Sequence, residues 1–303
     1  MDKDGRQLLA WIKDGRGQGH GESYQPWLRI SRRGLPSKGN LSLRPIPALG
    51  RTANFLSANE ASLAVWLLWL GASDLREQFP LWPLPHVHPI YGHSLADHGG
   101  LPWSRGTLAI AHDLGIEHGR FVGTNIPYIA TTDLMLTVMY GGRPRLVAVA
   151  AKPGSEVGGE SRLRSRARER LALEVAYANE LGISWHLMSD RSVPPAVREN
   201  LDVAVSASKL PEKIPQNMVV DFCEGISELL RDGESIVVAN ERVQERLMLD
   251  TGMANGLFHH GLWSRKIPID LREPLVFSRP AKLTDFSWAK RDAVAIFGEH
   301  DRE

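Results

Sequence analysis

Two largely apolar runs, Ile129–Tyr140 and Leu146–Ala151, flank Gly141-Gly142-Arg143-Pro144. That is the composition of a β-hairpin closed by a glycine-bearing turn. Folded symmetrically about the bond between Gly142 and Arg143, the hairpin sets Asp133 opposite Lys152. Period-two alternation puts Asp133 on one face with Thr131, Met135 and Thr137, and Lys152 on one face with Leu146, Ala148 and Ala150. An acid and a lysine then meet at the open end of two apolar strands, which is costly unless the pair has a partner or a task.

The pattern elsewhere predicts helices and shorter strands. Ser57-Ala58-Asn59-Glu60, followed by the mostly apolar Ala61–Leu70 and then Gly71, is a helix with a capping box, in which Glu60 closes the helix start. Asp74–Leu81 reads as a short charged segment entering a proline-punctuated loop that holds His86, His88, His93 and His98. Those histidines lack the helical or hairpin spacing of zinc sites, so a solvated loop is expected. Thr107–Gly115 is a short helix, a longer one runs to a C-cap at Gly182, and Ile183–Met188 is a strand. Beyond Val193 the pattern turns helical, at Val219–Leu230, Ser235–Leu249, Met253–Trp263 and Phe286–Phe297. Ile267–Leu271 and Pro274–Phe277 are extended pieces around Arg272-Glu273, so helices with a small two-stranded wing suggest a winged-helix module. The expected division is a basic extended arm over 1–52, an α/β domain over 53–192 and a mostly α domain over 193–303.

Composition adjusts this picture in a few places. A chain of 303 residues has room for two domains. Its net charge of +1 leaves any nucleic-acid affinity to local patches. Arg29, Arg32, Arg33, Lys38, Arg44 and Arg51 form one such patch in the arm; Arg164 and Arg168, sharing one side of the helix before Gly182, form another, and either patch could be a phosphate-contacting face or a solvated one. The single cysteine, Cys223, excludes an internal disulfide and a CxxC zinc cluster and fits a reducing cytoplasm. No apolar signal core opens the chain, and the longest apolar run, Leu63–Leu70, is short of the roughly 20 residues of a membrane span. A soluble cytoplasmic protein with no membrane partner is expected. There is no Walker-type loop, so no ATP hydrolysis is expected.

The candidate chemistry is a glutamate at a helix start, an aspartate and a lysine on neighbouring strands, and a following helix with Glu169 and Glu174. Hard oxygen donors without thiolates suit magnesium, with manganese able to substitute. Such ions polarise a phosphoryl oxygen and generate hydroxide, while a lysine orients the attacking water, so the reaction class is metal-assisted phosphodiester hydrolysis. An acid, a strand and then x-K follow the logic of PD-(D/E)xK nucleases; for the residues alone, a structural ion pair is the competing account.

The motifs L-S-A-N-E-A-S-L at 56–63, D-L-R-E-Q-F-P-L at 74–81, L-A-I-A-H-D-L-G-I-E-H at 108–118, T-T-D-L-M-L-T-V at 131–138, A-V-A-A-K-P at 148–153 and R-L-A-L-E-V-A-Y-A-N-E-L-G-I-S-W at 170–185 together resemble the TnsA family, from about Phe55 to Asp190. That family supplies the endonuclease subunit of heteromeric cut-and-paste transposases. The resemblance implies a restriction-endonuclease-like PD-(D/E)xK fold followed by a winged-helix domain. It also implies Mg2+ (or Mn2+) ions and cleavage of the 5′ strand at transposon ends in double-stranded DNA, beside a TnsB-like DDE transposase and a TnsC-like AAA+ ATPase. Carried onto this chain, the catalytic residues are Glu60, Asp133, Lys152 and Glu174, with Glu169 as the alternative helix acid. The metal ligands are Glu60, Asp133 and the backbone carbonyl of Ala151, and Arg32, Arg33, Arg164 and Arg168 are candidate DNA contacts. Ala150 stands where the family's Q-x-K element often has glutamine. A silent nuclease-fold scaffold and a stand-alone restriction or repair nuclease are the alternative functions.

Overall fold

A computed structural model describes residues 3–30, 41–157 and 165–299. The element order is α1 (Lys3–Lys13), β1 (Ser42–Ile46), β2 (Arg51–Phe55), α2 (Ala58–Leu70), β3 (Asp74–Leu81), α3 (Thr107–Asp113), β4 (Ala130–Tyr140), β5 (Arg143–Lys152), α4 (Gly154–Val157), α5 (Ser165–Glu180) and β6 (Ser184–Ser189). Helices α6 (Pro195–Ala204), α7 (Gln216–Arg231), α8 (Ile236–Arg246), α9 (Thr251–Trp263) and α10 (Ser287–Phe297) follow.

The central sheet runs β3-β4-β5-β6, with β3–β4 and β4–β5 antiparallel and β5–β6 parallel. Strands β4 and β5 read as almost continuous apolar runs because both faces of the sheet are covered. Leu134, Leu136, Val147 and Val149 join the cluster around α2, and Met135, Leu146 and Ala148 join Leu173 and Tyr177 of α5. Helix α2 is buried on nearly every side, as expected of a helix apolar all round.

The hairpin is present, but its register differs from the symmetric expectation. Gly141 (φ 55°) and Gly142 (φ 72°) form a two-residue turn, Tyr140 faces Arg143, and Leu134 faces Val149. Paired positive φ values match the right-handed strand twist best, so the chain folds about the Gly141–Gly142 bond rather than the next one. Asp133 is therefore not directly opposite Lys152. Because the displacement is two residues, both side chains keep the same face.

Asp74–Leu81 is not a charged loop entry; it is a strand buried along its whole length. Two of its acids have partners there. Arg51 donates to both carboxylate oxygens of Glu77, at 2.9 and 2.8 Å, and Asp74 accepts from the amides of Gly21 and Leu75. The N-terminal segment covers this sheet edge, with Trp27 N donating to Gln78 O and the Tyr24 hydroxyl to Glu77 O.

An extended arm over 1–52 does not describe the residues seen there. Residues 3–13 are helical, Tyr24 and Trp27 are buried, and β1 pairs with β2. Arg29, Arg44 and Arg51 are bonded to Gln25, Asp202 and Glu77 respectively, so three of the arm's cations have structural partners. Arg32, Arg33, Lys38 and Arg164 lie outside the described residues. The two-stranded wing is also absent among the described residues. Ile269 bridges Leu283 and Ser235 bridges Pro280, because Asp270 folds back on Arg272 in a local turn and its amide donates to Lys282 O.

The α2 cluster continues into the C-terminal helices. Trp69 stacks on Trp288 of α10 and donates its indole N–H to Leu262 O of α9. No helix among the described residues is long and apolar enough to cross a membrane.

Candidate active site

Glu60 sits in the first turn of α2, 7% exposed. Ser57 caps the helix through Glu60 N, and the carboxylate accepts from Ser57 Oγ at 3.0 Å, Leu56 N at 2.9 Å and Gln78 Nε2 at 3.1 Å. The carboxylate thus reaches back one residue beyond the cap, toward the sheet. Asn59 next to it donates to the carbonyl of Lys152 at 3.2 Å, tying the start of α2 to the end of β5.

Asp133 is near the start of β4 and buried; its Oδ2 accepts from Ala151 N at 2.7 Å and from Lys152 Nζ at 3.1 Å. The ammonium also donates to Ala151 O at 3.0 Å, so it bridges two of the oxygens that the sequence offers to a cation. Of the acids on α5, Glu174 is 3% exposed, with Arg170 Nε 3.6 Å from Oε1 and Oε2 left without a hydrogen-bond partner. Glu169 pairs with Arg166 at the surface. Arg168 is exposed on the same helix.

Burial, and then the Asp133 charge, push the Glu60 and Glu174 carboxyls up to about 7. Both acids hold protons in the folded chain that they lose when unfolded, so they favour the fold at low pH and this contribution fades as pH rises from 4.5 through about 7. Histidines whose pKa burial lowers act in the opposite sense, so in chelator the two carboxyls are read by difference: as pH falls across that window, the melting temperature of the unmodified chain is expected to gain on that of a variant lacking both. A Glu60→Gln/Glu174→Gln double variant, compared by calorimetry, should lose that part of the dependence; a slope equal to that of the unmodified chain would show that the two carboxyls contribute nothing to it.

Sequence reasoning missed Gln78. It is buried with φ 49°, in the left-handed region that a non-glycine residue rarely adopts, and it interrupts the β3–β4 pairing at the level of Asp133. Its amide joins Glu60 to Thr131, whose hydroxyl donates to Gln78 Oε1 at 3.1 Å. The position of this glutamine in D-L-R-E-Q-F-P-L, directly after Glu77, was the available signal. Gln78→Leu is expected to destabilise the fold by about 1–3 kcal/mol in urea titration, because it strands two buried polar partners.

The residues fit a hard divalent cation on donor chemistry. Buried carboxylates repel one another's charge, and Glu174 Oε2 is an orphaned buried acceptor. Among the described residues no three histidine, cysteine or carboxylate groups converge as a cage. Magnesium does not need one, since it binds through one or two carboxylates and keeps several waters. His86 and His88 are engaged elsewhere, His86 with Leu84 O and the Tyr177 hydroxyl, His88 with Leu181 O and Ile90 N.

A mixed sheet with helices on both faces, carrying acids and a lysine at adjoining strand ends, fits an α/β nuclease fold. Over 197 residues the chain is 30% identical to the transposon Tn7 transposition protein TnsA of Escherichia coli; the match takes in 65% of this chain and spans 61% of that relative's length. The chain is similar to that TnsA over this stretch and spans less than two thirds of its length. No family model matches it.

Proposed function

We propose that the chain is the endonuclease subunit of a heteromeric cut-and-paste transposase, cleaving the 5′ strand at transposon ends in a magnesium-dependent reaction. The observation that carries this reading is Lys152 Nζ held between Asp133 Oδ2 and Ala151 O beside two further buried acids. Similarity to a named transposition protein supports it. On this reading residues 53–192 hold a PD-(D/E)xK site, and the helices of 193–303 are a module for gripping DNA or a partner. The partners are a TnsB-like DDE transposase and a TnsC-like AAA+ ATPase, in the cytoplasm, and Arg168 offers a phosphate contact on an exposed helix face.

Glu60, Asp133, Glu174 and the Ala151 carbonyl would hold the ion, which when bound supplies Lewis-acid polarisation of the scissile phosphoryl oxygen. Lys152, kept at the strand end by its two acceptors, orients the attacking water and offsets charge growing on the phosphate. Gln78 and Ser57 fix the Glu60 carboxylate in place. Ala150 is fully buried, so that position brings no polar group to the DNA.

The test is cleavage of labelled transposon-end duplex by the full chain with magnesium, with and without its two partners. Partner-dependent 5′-strand nicking is the expected result. Cutting without partners would favour a stand-alone nuclease, and no cutting in the complete mixture would favour the scaffold reading.

A further inference from the structure

Arg76 lies in the middle of β3 and is 2% exposed. Glu77 is bound by Arg51, whereas Asp74 accepts two backbone amides and its charge also acts on Arg76. Among the described residues no carboxylate lies within ion-pair distance of the Arg76 guanidinium. One of its amino groups, Nη1, donates to Pro89 O at 2.9 Å, and the cation rests 4.6 Å from the centre of the Phe79 ring. Its Nε and Nη2 are buried and have no partner. These two donors form one edge of the guanidinium, the parallel fork that binds a carboxylate or phosphate with two bonds.

Arg76 is one of the residues lining a cleft of about 350 Å³, walled also by His20, Trp82, Val87, His88 and Tyr91 together with the Gly17–Gly19 turn. The turn is built to approach the strand closely. A Cβ on Gly17, whose φ is +73°, would stand 2.2 Å from the Pro80 ring. Burial holds His20, His86 and His88 below their ordinary pKa, so the positive charge at the cleft comes from the guanidinium. A water molecule could accept a hydrogen bond there but would bring no charge, and Asp74 acts on the buried cation only from beyond ion-pair distance.

We infer that this cleft binds a phosphate-class oxyanion on the Nε and Nη2 edge of Arg76. The volume is near the lower end of ordinary ligand pockets and exceeds what a bare phosphate fills, which leaves room for one attached nucleotide beside Trp82 and Tyr91. The site shares none of the groups assigned to cleavage, so its failure would leave the nuclease reading untouched.

The experiment is calorimetric titration of the full-length protein with inorganic phosphate, a 5′-phosphorylated trinucleotide and its 5′-hydroxyl counterpart. Both phosphate-bearing probes are expected to bind, and Arg76→Gln should weaken them about 10- to 100-fold, the loss of charge-assisted hydrogen bonding. A phosphorylated trinucleotide binding more tightly than phosphate identifies a nucleic-acid end as the source; equal affinities identify the free ion. Val87→Trp, which fills the cleft from another residue of its wall, should abolish binding even if Arg76→Gln does not fold. The inference is overturned if the unmodified protein binds neither phosphate-bearing probe, or if binding survives both substitutions unchanged.

Discussion

Lys152→Ala is expected to slow magnesium-dependent cleavage of transposon-end DNA by about 10²- to 10⁴-fold, the range associated with removing a positioned proton-transfer group, while end binding by the assembled complex is retained. The expectation follows from geometry. Lys152 makes its bonds to Asp133 and to its neighbour's carbonyl at the end of β5, and its side chain is 22% exposed, open enough to meet a substrate. Because the substitution also leaves the buried Asp133 carboxylate without its cation, the variant's melting temperature is measured beside the rate, so that a loss of cleavage is separated from a loss of fold. Lys152→Arg should not restore the rate, because a planar fork cannot replace a compact ammonium between those two oxygens. Asp133→Ala should be at least as severe, since it removes both the acceptor for Lys152 and a carboxylate ligand. Retention of full cleavage by either variant, measured in single turnover, would sink the assignment.

The second large effect concerns stability. Glu77→Ala is expected to destabilise the protein by about 3–5 kcal/mol, the usual cost of leaving one member of a buried ion pair without its partner. Glu77 is fully buried, holds Arg51 through both oxygens and accepts from Asn54 N at 2.9 Å. It therefore joins β2 and β3. Guanidinium denaturation should show the shift in midpoint, with Glu234→Ala as the control. That acid belongs to an exposed pair with Arg242, whose removal should change stability by about 1 kcal/mol or less. Equal effects of the two substitutions would mean that the buried pair contributes no more than a surface one.

Legibility in the sequence followed the range of the interactions involved. Helix α2 could be read because Ser57, Glu60 and Gly71 are local signals within a single apolar run, and the hairpin could be read from its paired glycines. What could not be read locally was which bond the turn closes around. A symmetric guess missed by one bond, yet period two preserved the shared face of Asp133 and Lys152. Strand β3 was misread for another reason. A run of D-L-R-E-Q looks solvated until Arg51, Gly21 and Trp27, 23 or more residues away along the chain, are brought to it. The same blindness hid Gln78, whose role depends on a backbone angle and on partners from α2 and β4. The wing was inferred from two short apolar pieces, but Asp270 prefers its own turn with Arg272.

The continuity of the α2 cluster into the last helices has a practical corollary for anyone dissecting this chain. A fragment stopped at residue 192 would retain every group assigned to cleavage and still lose one whole flank of the helix that carries Glu60. Trp69 would face water where Leu262 and Trp288 now cover it. Such a fragment is a poor vehicle for isolating the chemistry, because its new surface would be a strip of tryptophan and leucine inclined to self-associate.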